Sequence, residues 1–328
     1  MKKIVVAPDS FKGSLTSAEV ADAVERGIKD VFPQCNVVKA GVADGGEGTV
    51  EAIVKAVGGD MYAASVTDPL GRPVKAAYGI VRSGGVKTAV MEMSAASGLP
   101  LLLPDELNPW ITSTYGTGEM ISDALNRGCR KFLVGIGGSA TNDAGTGMLS
   151  ALGVRFLDSS GQRLKGCGRD LESIARIDMS SLMPAARESE FIVACDVNTP
   201  FCGPDGAARV FAPQKGADPQ TAEALDLGMR SFAQVIAEQF QTDIVPLSGA
   251  GAAGGLGGAF KAFLNARLTA GIEMVLDAIA FDSLLEGASL VITGEGRIDA
   301  QTAAGKTAAG VLRAIVEKWW RCLAVHLK

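Results

Sequence analysis

The sequence predicts an α/β protein with a parallel sheet and a second, inserted domain, and three observations carry that prediction. Two units of apolar strand, polar glycine turn and amphipathic helix follow one another at the start of the chain, which is the signature of a parallel sheet with helices on its faces. Between Met61 and Val90 the texture changes to short β-like runs separated by turn residues, which is hairpin punctuation. The chain has 328 residues, enough for roughly two domains.

Lys3 to Ala7 is the first strand, and it runs into the turn Pro8-Asp9-Ser10-Phe11-Lys12-Gly13-Ser14. A capping box from Thr16 to Glu19 starts a helix carried by Val20, Val24 and Ile28 at a spacing of four. Val37 to Ala43 reads as the second strand, ends in Asp44-Gly45-Gly46-Glu47-Gly48-Thr49, and is followed by a helix with Val50, Ile53, Val54 and Val57 on one stripe. Ala63 to Val66 and Val74 to Val81, punctuated by Asp68-Pro69-Leu70-Gly71 and Ser83-Gly84-Gly85, read as hairpin strands and mark the second domain. Further on come a helix near Glu119 to Asn126, a strand Phe132 to Ile136 with the turn Gly137-Gly138-Ser139-Ala140-Thr141-Asn142-Asp143, and a short helix ending near Leu152. The strand Phe191 to Cys195 leads into Asp196, a long helix carries Leu225, Met229, Phe232, Val235 and Ile236, and the strand Ser289 to Thr293 ends in Gly294-Glu295-Gly296-Arg297-Ile298-Asp299.

Composition removes whole classes of chemistry. A hydrophobic fraction of 47% with 20% charged residues is that of a globular chain. The single histidine, His326, leaves no material for a Ser-His-Asp triad, a histidine-rich zinc site or a two-histidine iron site. Acid and base work therefore falls to carboxylates, lysines or hydroxyls. A net charge of −5 and the lack of a basic run argue against a nucleic-acid partner. The uncharged run Ile244 to Phe260 is broken by glycines and Pro246 and does not read as a membrane span. The six cysteines form no C-x-x-C pair, which fits reduced thiols. The expectation is a cytoplasmic protein.

The recurring pattern of strand, turn of glycine with Asp, Ser, Thr or Lys, then helix places those turns at the carboxyl ends of strands. Ligands bind there in open α/β sheets, and the free N–H groups of the next helix favour an anion. The pattern suggests a phosphorylated ligand. Gly305-Lys306-Thr307 is not a P-loop, because position 300 is Ala where the pattern needs Gly. Gly249-Ala250-Gly251-Ala252-Ala253-Gly254 matches the dinucleotide G-x-G-x-x-G, with Glu273 about where its acidic partner is expected. The preceding Ile244 to Leu247 is a poor strand, however, and six-letter glycine patterns arise easily in a chain with 41 glycines. An NAD(P)-dependent oxidoreductase of a small hydroxy acid, resting on Gly249 to Gly254, is the alternative reading.

Asp9, Asp44, Asp143, Asp196, Glu295 and Asp299 each end a strand or sit in the turn after it. Any one of them reads as a helix cap or Asx turn. Together they would repel one another unless cations or donors intervene, and Mg²⁺ held by one or two carboxylates plus phosphate oxygens fits. Lys12, Lys215, Arg297 and Lys306 lie in similar turns, where phosphate or carboxylate charge can meet them.

The blocks Ala7-Pro8-Asp9-Ser10-Phe11-Lys12-Gly13-Ser14-Leu15, Ala43 to Thr49, Gly137 to Asp143, Gln214-Lys215-Gly216-Ala217, Gly249 to Gly257 and Thr293 to Asp299, in this order, resemble the bacterial type I glycerate kinases. The resemblance runs from Met1 to about Gly310. It implies ATP-dependent phosphorylation of D-glycerate, with 2-phosphoglycerate as the usual product. It also implies a flavodoxin-like doubly wound domain built from both chain ends, residues 1–62 with 288–328, around an inserted mixed α/β domain of residues 63–287. Past Thr307 the chain departs from the family, with Ala308 in place of the usual proline and a tail that contains Trp319, Trp320 and His326. The paired tryptophans would pack in a core or in a subunit contact, as in a homodimer, and His326 is expected to have no catalytic part.

Phosphoryl transfer needs positioning, charge neutralisation and a group that takes the hydroxyl proton. Asp196 is the expected base. Lys12 and Arg297 would hold the glycerate carboxylate or the γ-phosphate, Ser10 would hydrogen-bond the substrate, and Asp44 and Glu295 would hold Mg²⁺ or substrate hydroxyls. Gly137, Gly138 and Ser139, with Gly251, Gly254 and Gly255, would line the nucleotide phosphates.

Overall fold

A computed structural model describes residues 2–11, 13–83, 85–296, 307–316 and 322–326. The central strand β1 (Lys3–Pro8) is apolar and buried from Ile4 onward on both faces, as a parallel strand covered on both sides must be. Helix α1 (Ser17–Val31) starts at the expected capping box: the Glu19 amide donates to Thr16 Oγ1 at 3.3 Å and the Thr16 amide donates to the Glu19 carboxylate at 2.8 Å. Its buried Ala21 packs on Ile4 and Val6 of β1. Strand β2 (Asn36–Lys39) pairs in parallel with β1. It is shorter than Val37 to Ala43 because Pro8 has no N–H with which to return a ladder bond, although Ala40 N still donates to Val6 O at 2.8 Å and Val42 N to Pro8 O at 3.3 Å. Helix α2 (Thr49–Val57) follows.

The hairpin texture resolves into β3 (Gly59–Thr67), β4 (Pro73–Ser83) and β5 (Val86–Glu92), paired antiparallel in sequence order. Short α3 (Ser94–Ser97), α4 (Tyr115–Asn126), β6 (Lys131–Gly135) and α5 (Thr146–Ala151) come next. A small antiparallel pair, β7 (Arg155–Leu157) with β8 (Arg176–Asp178), precedes α6 (Pro184–Arg187) and β9 (Glu190–Ala194). Then follow α7 (Ala207–Phe211), α8 (Pro219–Phe240), α9 (Ala252–Leu264), β10 (Arg267–Thr269), α10 (Gly271–Ala278) and α11 (Phe281–Leu285). The chain closes with β11 (Leu290–Glu295), α12 (Thr307–Val316) and β12 (Cys322–His326).

Two principal sheets result. One is parallel throughout, in the order β12-β11-β1-β2. The C-terminal segment supplies its edge strand, β12, in register with Val291 to Glu295 of β11. The connections from β1 and β11 leave in opposite directions, so the strand order reverses between these two strands, the place where open α/β sheets bind ligands, and Asp9 and Glu295 lie at their carboxyl ends. The other sheet has the order β10-β9-β6-β5-β4-β3, parallel from β10 to β5 and antiparallel beyond.

One apolar layer joins the sheets. Val5 and Ala7 of β1 and Val291 of β11 share a core with Val90, Leu133 and Ile192 of the other sheet, through Val50 and Ile53 of α2, Ile272 and Val275 of α10, and Val311 and Ile315 of α12. Each such side chain, fully buried, contributes about 1.5–3 kcal/mol. A larger core covers the far face of the six-stranded sheet, where Phe132, Phe191 and Phe260 are in ring contact.

The close approach of α10 to the β2–α2 loop tolerates no side chain at Gly271, since a Cβ there would overlap the carbonyl oxygen of Asp44. Gly27, inside α1, has open space around it. Gly271→Ala is therefore expected to lower stability by about 1–3 kcal/mol, as overpacking does, and Gly27→Ala to raise it by up to about 1 kcal/mol through helix propensity. Urea unfolding of both variants checks the pair, and equal effects would contradict it.

Candidate functional site

The loop Asp44-Gly45-Gly46 leaves the four-stranded sheet and rests on the carboxyl ends of the other sheet. Gly45 has φ +83, and a Cβ on it would sit 2.5 Å from the Cβ of Ala194 and 3.0 Å from the Cα of Gly271. At Gly135, the last residue of β6, a Cβ would strike the carbonyl of Gly45. Glycines from three separate segments thus let backbone lie on backbone. The carboxyl ends of the parallel strands of both sheets are brought to one place, with Asp9 and Ser10 after β1, Asp44 and Glu47 after β2, Glu92 ending β5, Gly137 to Ser139 after β6, Asp196 after β9 and Glu295 ending β11.

Asp9 is buried. One carboxylate oxygen accepts from the Ser10 amide at 2.6 Å and the other from the Thr307 hydroxyl at 2.5 Å, which ties the first residue of α12 to the β1 turn. Asp44 is half-buried and accepts from the Gly46 amide at 3.1 Å, an Asx turn that shapes the loop. Asp196 is exposed, and its Oδ1 accepts from the Gly271 amide at 2.9 Å, so it caps α10 from 75 residues away. Glu295 is buried at the end of β11. Gly137 and Gly138 are exposed, and Gly137 looks across at the Cα of Gly46. Ser139 is buried and accepts at Oγ from Lys215.

Gly251, Gly254 and Gly255 follow Gly249, which lies against Cys195 and Val197 at the end of β9. The Gly251 amide donates to Thr199 O at 3.0 Å and the Gly255 amide to Gly251 O at 3.3 Å. Gly254 and Gly255, at φ +67 and +92, pack against Thr141, Asn142 and Ala144, and Ala144 N donates to Gly254 O at 2.9 Å. Of the three, Gly254 packs on Thr141 and Asn142 of the Gly137 to Asp143 segment, Gly255 packs on Ala144 just after it, and Gly251 packs on Pro200. Lys12, Arg297, Asp299 and Lys306 lie outside the described residues.

The nicotinamide reading fails on this geometry. A dinucleotide fingerprint needs a strand running directly into the glycine turn and a helix starting from it. Here Ile244 to Leu247 is not a strand, and α9 opens with the left-handed residues Ala253, Gly254 and Gly255.

Among the described residues no group of three or more histidine, cysteine or acidic side chains could hold a metal ion.

A cavity of about 770 Å³ opens beside this convergence, between the first turns of α1 and α2, and is lined by Asp9, Ser10, Ser14, Glu47 and Glu92 among others. Sequence reasoning passed over Glu92. It follows the apolar run Val90-Met91 as Asp196 follows its own strand, but no glycine turn marks it. The Val50 amide donates to its Oε1 at 3.2 Å. Burial pushes its carboxyl up to about 7, helped by the charges of Glu51 and Glu47 and opposed by amide hydrogen bonds from Val50 and Thr49. No helix among the described residues is long and apolar enough to cross a membrane.

The glycerate kinase family model matches residues 4–326. The chain is 50% identical over 312 residues to the glycerate kinase of Bacillus subtilis (strain 168), a match that covers 95% of this chain and 81% of that protein. It is 47% identical over 309 residues to the glycerate 2-kinase of Escherichia coli (strain K12), covering 94% and 81%. The crystal structure of a Salmonella typhimurium LT2 protein assigned as glycerate kinase 2 superposes with a TM-score of 0.94 at 45% identity, over 100% of this chain and 87% of that one.

The raised Glu92 carboxyl has a consequence for stability. Between its ordinary 4.5 and about 7 the folded chain keeps a proton that the unfolded chain has released. Its contribution is therefore fully present below pH 4.5 and is lost as the pH rises through 7. Thermal unfolding of Glu92→Gln from pH 5 to pH 8 is expected to show a shallower fall than the parent chain, whereas parallel curves would remove Glu92 from this role.

Proposed function

The chain belongs to the glycerate kinase family, and from that premise we propose that this kinase transfers the γ-phosphoryl group of ATP to the 2-hydroxyl of D-glycerate, giving 2-phosphoglycerate and ADP. The observation that supports this reading is the convergence of two sets of parallel strand ends on the Asp44-Gly45-Gly46 loop. It sets an exposed glycine turn opposite a row of carboxylates, the two requirements of a phosphate-handling crevice.

In this reading the Gly137 to Ser139 turn receives the nucleotide phosphates, and Gly254 packs on the Thr141–Asn142 stretch that follows it. Ser10 hydrogen-bonds D-glycerate at the rim of the cavity. Lys12 and Arg297 meet the glycerate carboxylate or the γ-phosphate. Asp196 takes the proton of the substrate hydroxyl as its oxygen attacks the γ-phosphorus and ADP leaves. The hydrogen bond from the Gly271 amide orients its carboxylate at the β9 end. Asp44 and Glu295 are the residues that would hold Mg²⁺. The ion, when bound on the phosphates, offsets their negative charge. In this reading the chain divides into residues 1–62 with 288–328 and 63–287, although β3 of the six-stranded sheet already begins at Gly59.

ATP consumption that depends on both D-glycerate and Mg²⁺, with phosphorus NMR showing 2-phosphoglycerate, is the expected result. Binding of ATP without turnover, or formation of 3-phosphoglycerate, would contradict the proposal. Asp196→Asn is expected to lower kcat by roughly 10²–10⁴-fold, the worth of a positioned general base, with KM for ATP little changed. Near-normal turnover in that variant would remove Asp196 from the role.

A further inference from the structure

The segment Gln214-Lys215-Gly216-Ala217 has no part in the chemistry above. A turn of 3-10 helix at Pro213–Lys215 ends at Gly216, whose φ of +95 and missing Cβ let it lie against the backbone of Leu107. This conformation sends Lys215 into the interior. Its side chain is 1% exposed, and Nζ donates to Ser139 Oγ at 2.8 Å and to the Thr141 carbonyl at 2.6 Å. A buried lysine is a costly element of a fold, because an ammonium loses its hydration there. Burial pushes its pKa down to about 7, against the pull of the Asp143 charge. Asp143 is itself buried and engaged by the Thr114 amide at 2.7 Å, the Thr114 hydroxyl at 2.8 Å and the Gly145 amide at 3.0 Å.

The chemistry of the two partners fixes a direction. An ammonium has only donors, whereas a serine hydroxyl has one proton and two lone pairs. With Lys215 donating, Ser139 Oγ is the acceptor, and its own proton has to point away from Nζ. Ser139 directly follows the exposed Gly137 and Gly138. Holding the Thr141 carbonyl inward also keeps an acceptor oxygen from facing an anion at the turn. We propose that Lys215 is a positioning residue for nucleotide binding, which holds the Ser139 hydroxyl as a donor toward phosphate at the Gly137–Gly138 turn and keeps the Thr141 carbonyl out of the way. The inference rests on the reading that this turn holds the nucleotide phosphates.

The test measures kcat and separate KM values for ATP and D-glycerate in Lys215→Met, Ser139→Ala and the double variant, from pH 6 to pH 9. Each single variant is expected to raise KM for ATP about tenfold or more, the worth of one hydrogen bond to a charged group, and to leave KM for D-glycerate within about twofold. The double variant is expected to be no worse than the weaker single variant, because both remove one interaction. In the parent chain KM for ATP is expected to rise above pH 7, where the neutral amine can accept the Ser139 proton. That rise, beyond any change that ATP itself contributes in all variants, should be missing in Ser139→Ala.

A folded Lys215→Met with unchanged KM for ATP, beside a weakened Ser139→Ala, would overturn the role of Lys215 and leave the phosphate turn standing. An unchanged Ser139→Ala would overturn both. If Lys215→Met does not fold, the pH profiles of the parent and Ser139→Ala decide, and identical profiles overturn the inference.

Discussion

The packing of the Asp44-Gly45-Gly46 loop on Ala194, Gly135 and Gly271 is the contact on which the rest of the site depends. It is a backbone-on-backbone contact, with no room for a Cβ at Gly45, Gly135 or Gly271. Parallel sheets place their ligand-facing turns at one end only. Two such sheets in one chain can cooperate only if those ends meet, and this loop is where they do. The shared layer of Val5, Val90, Leu133, Ile192, Ile272 and Val311 holds the sheets at the spacing the loop needs.

A division of labour follows from that contact. The four-stranded sheet contributes the buried Asp9, the rim residue Ser10 and the end of β11 at Glu295, and α12 is anchored there through Thr307. The six-stranded sheet contributes the exposed Gly137–Gly138 turn and the carboxylates Glu92 and Asp196. Each carboxylate with an assigned partner is oriented by a backbone amide: Ser10 for Asp9, Gly46 for Asp44, Val50 for Glu92 and Gly271 for Asp196. Asp9 adds the Thr307 hydroxyl to its amide partner.

The alternation of strand, polar turn and helix made the parallel sheets legible in the sequence, because that pattern depends on local periodicity and turn chemistry. The same local signals missed β10 and α10, since Arg267–Thr269 is only three residues long and Gly271 opens its helix without a side-chain cap of its own. Its cap is Asp196, a long-range partner that no local pattern reveals. The Gly249–Gly254 motif misled for a related reason: glycine permits close packing as readily as it permits a phosphate, and only the neighbours, here Thr141, Asn142 and Pro200, tell which. Lys215 read as a turn lysine open to a ligand and is instead 1% exposed beneath Ser139. The resemblance carried by six ordered motifs reached further than any one of them, because motif order reports the whole chain.

The proposed function requires the nucleotide phosphates to lie at the Gly137–Gly138 turn, beside the Asp44–Gly46 loop. A crystal structure with Mg²⁺, a non-hydrolysable ATP analogue and D-glycerate tests it most directly. The account predicts the phosphates within hydrogen-bond distance of Gly137, Gly138 and the Ser139 hydroxyl, with the glycerate carried between them and Asp196. Phosphates seated on the Gly249–Gly254 loop, or on any surface that the Asp44-Gly45-Gly46 contact does not help to form, would contradict it.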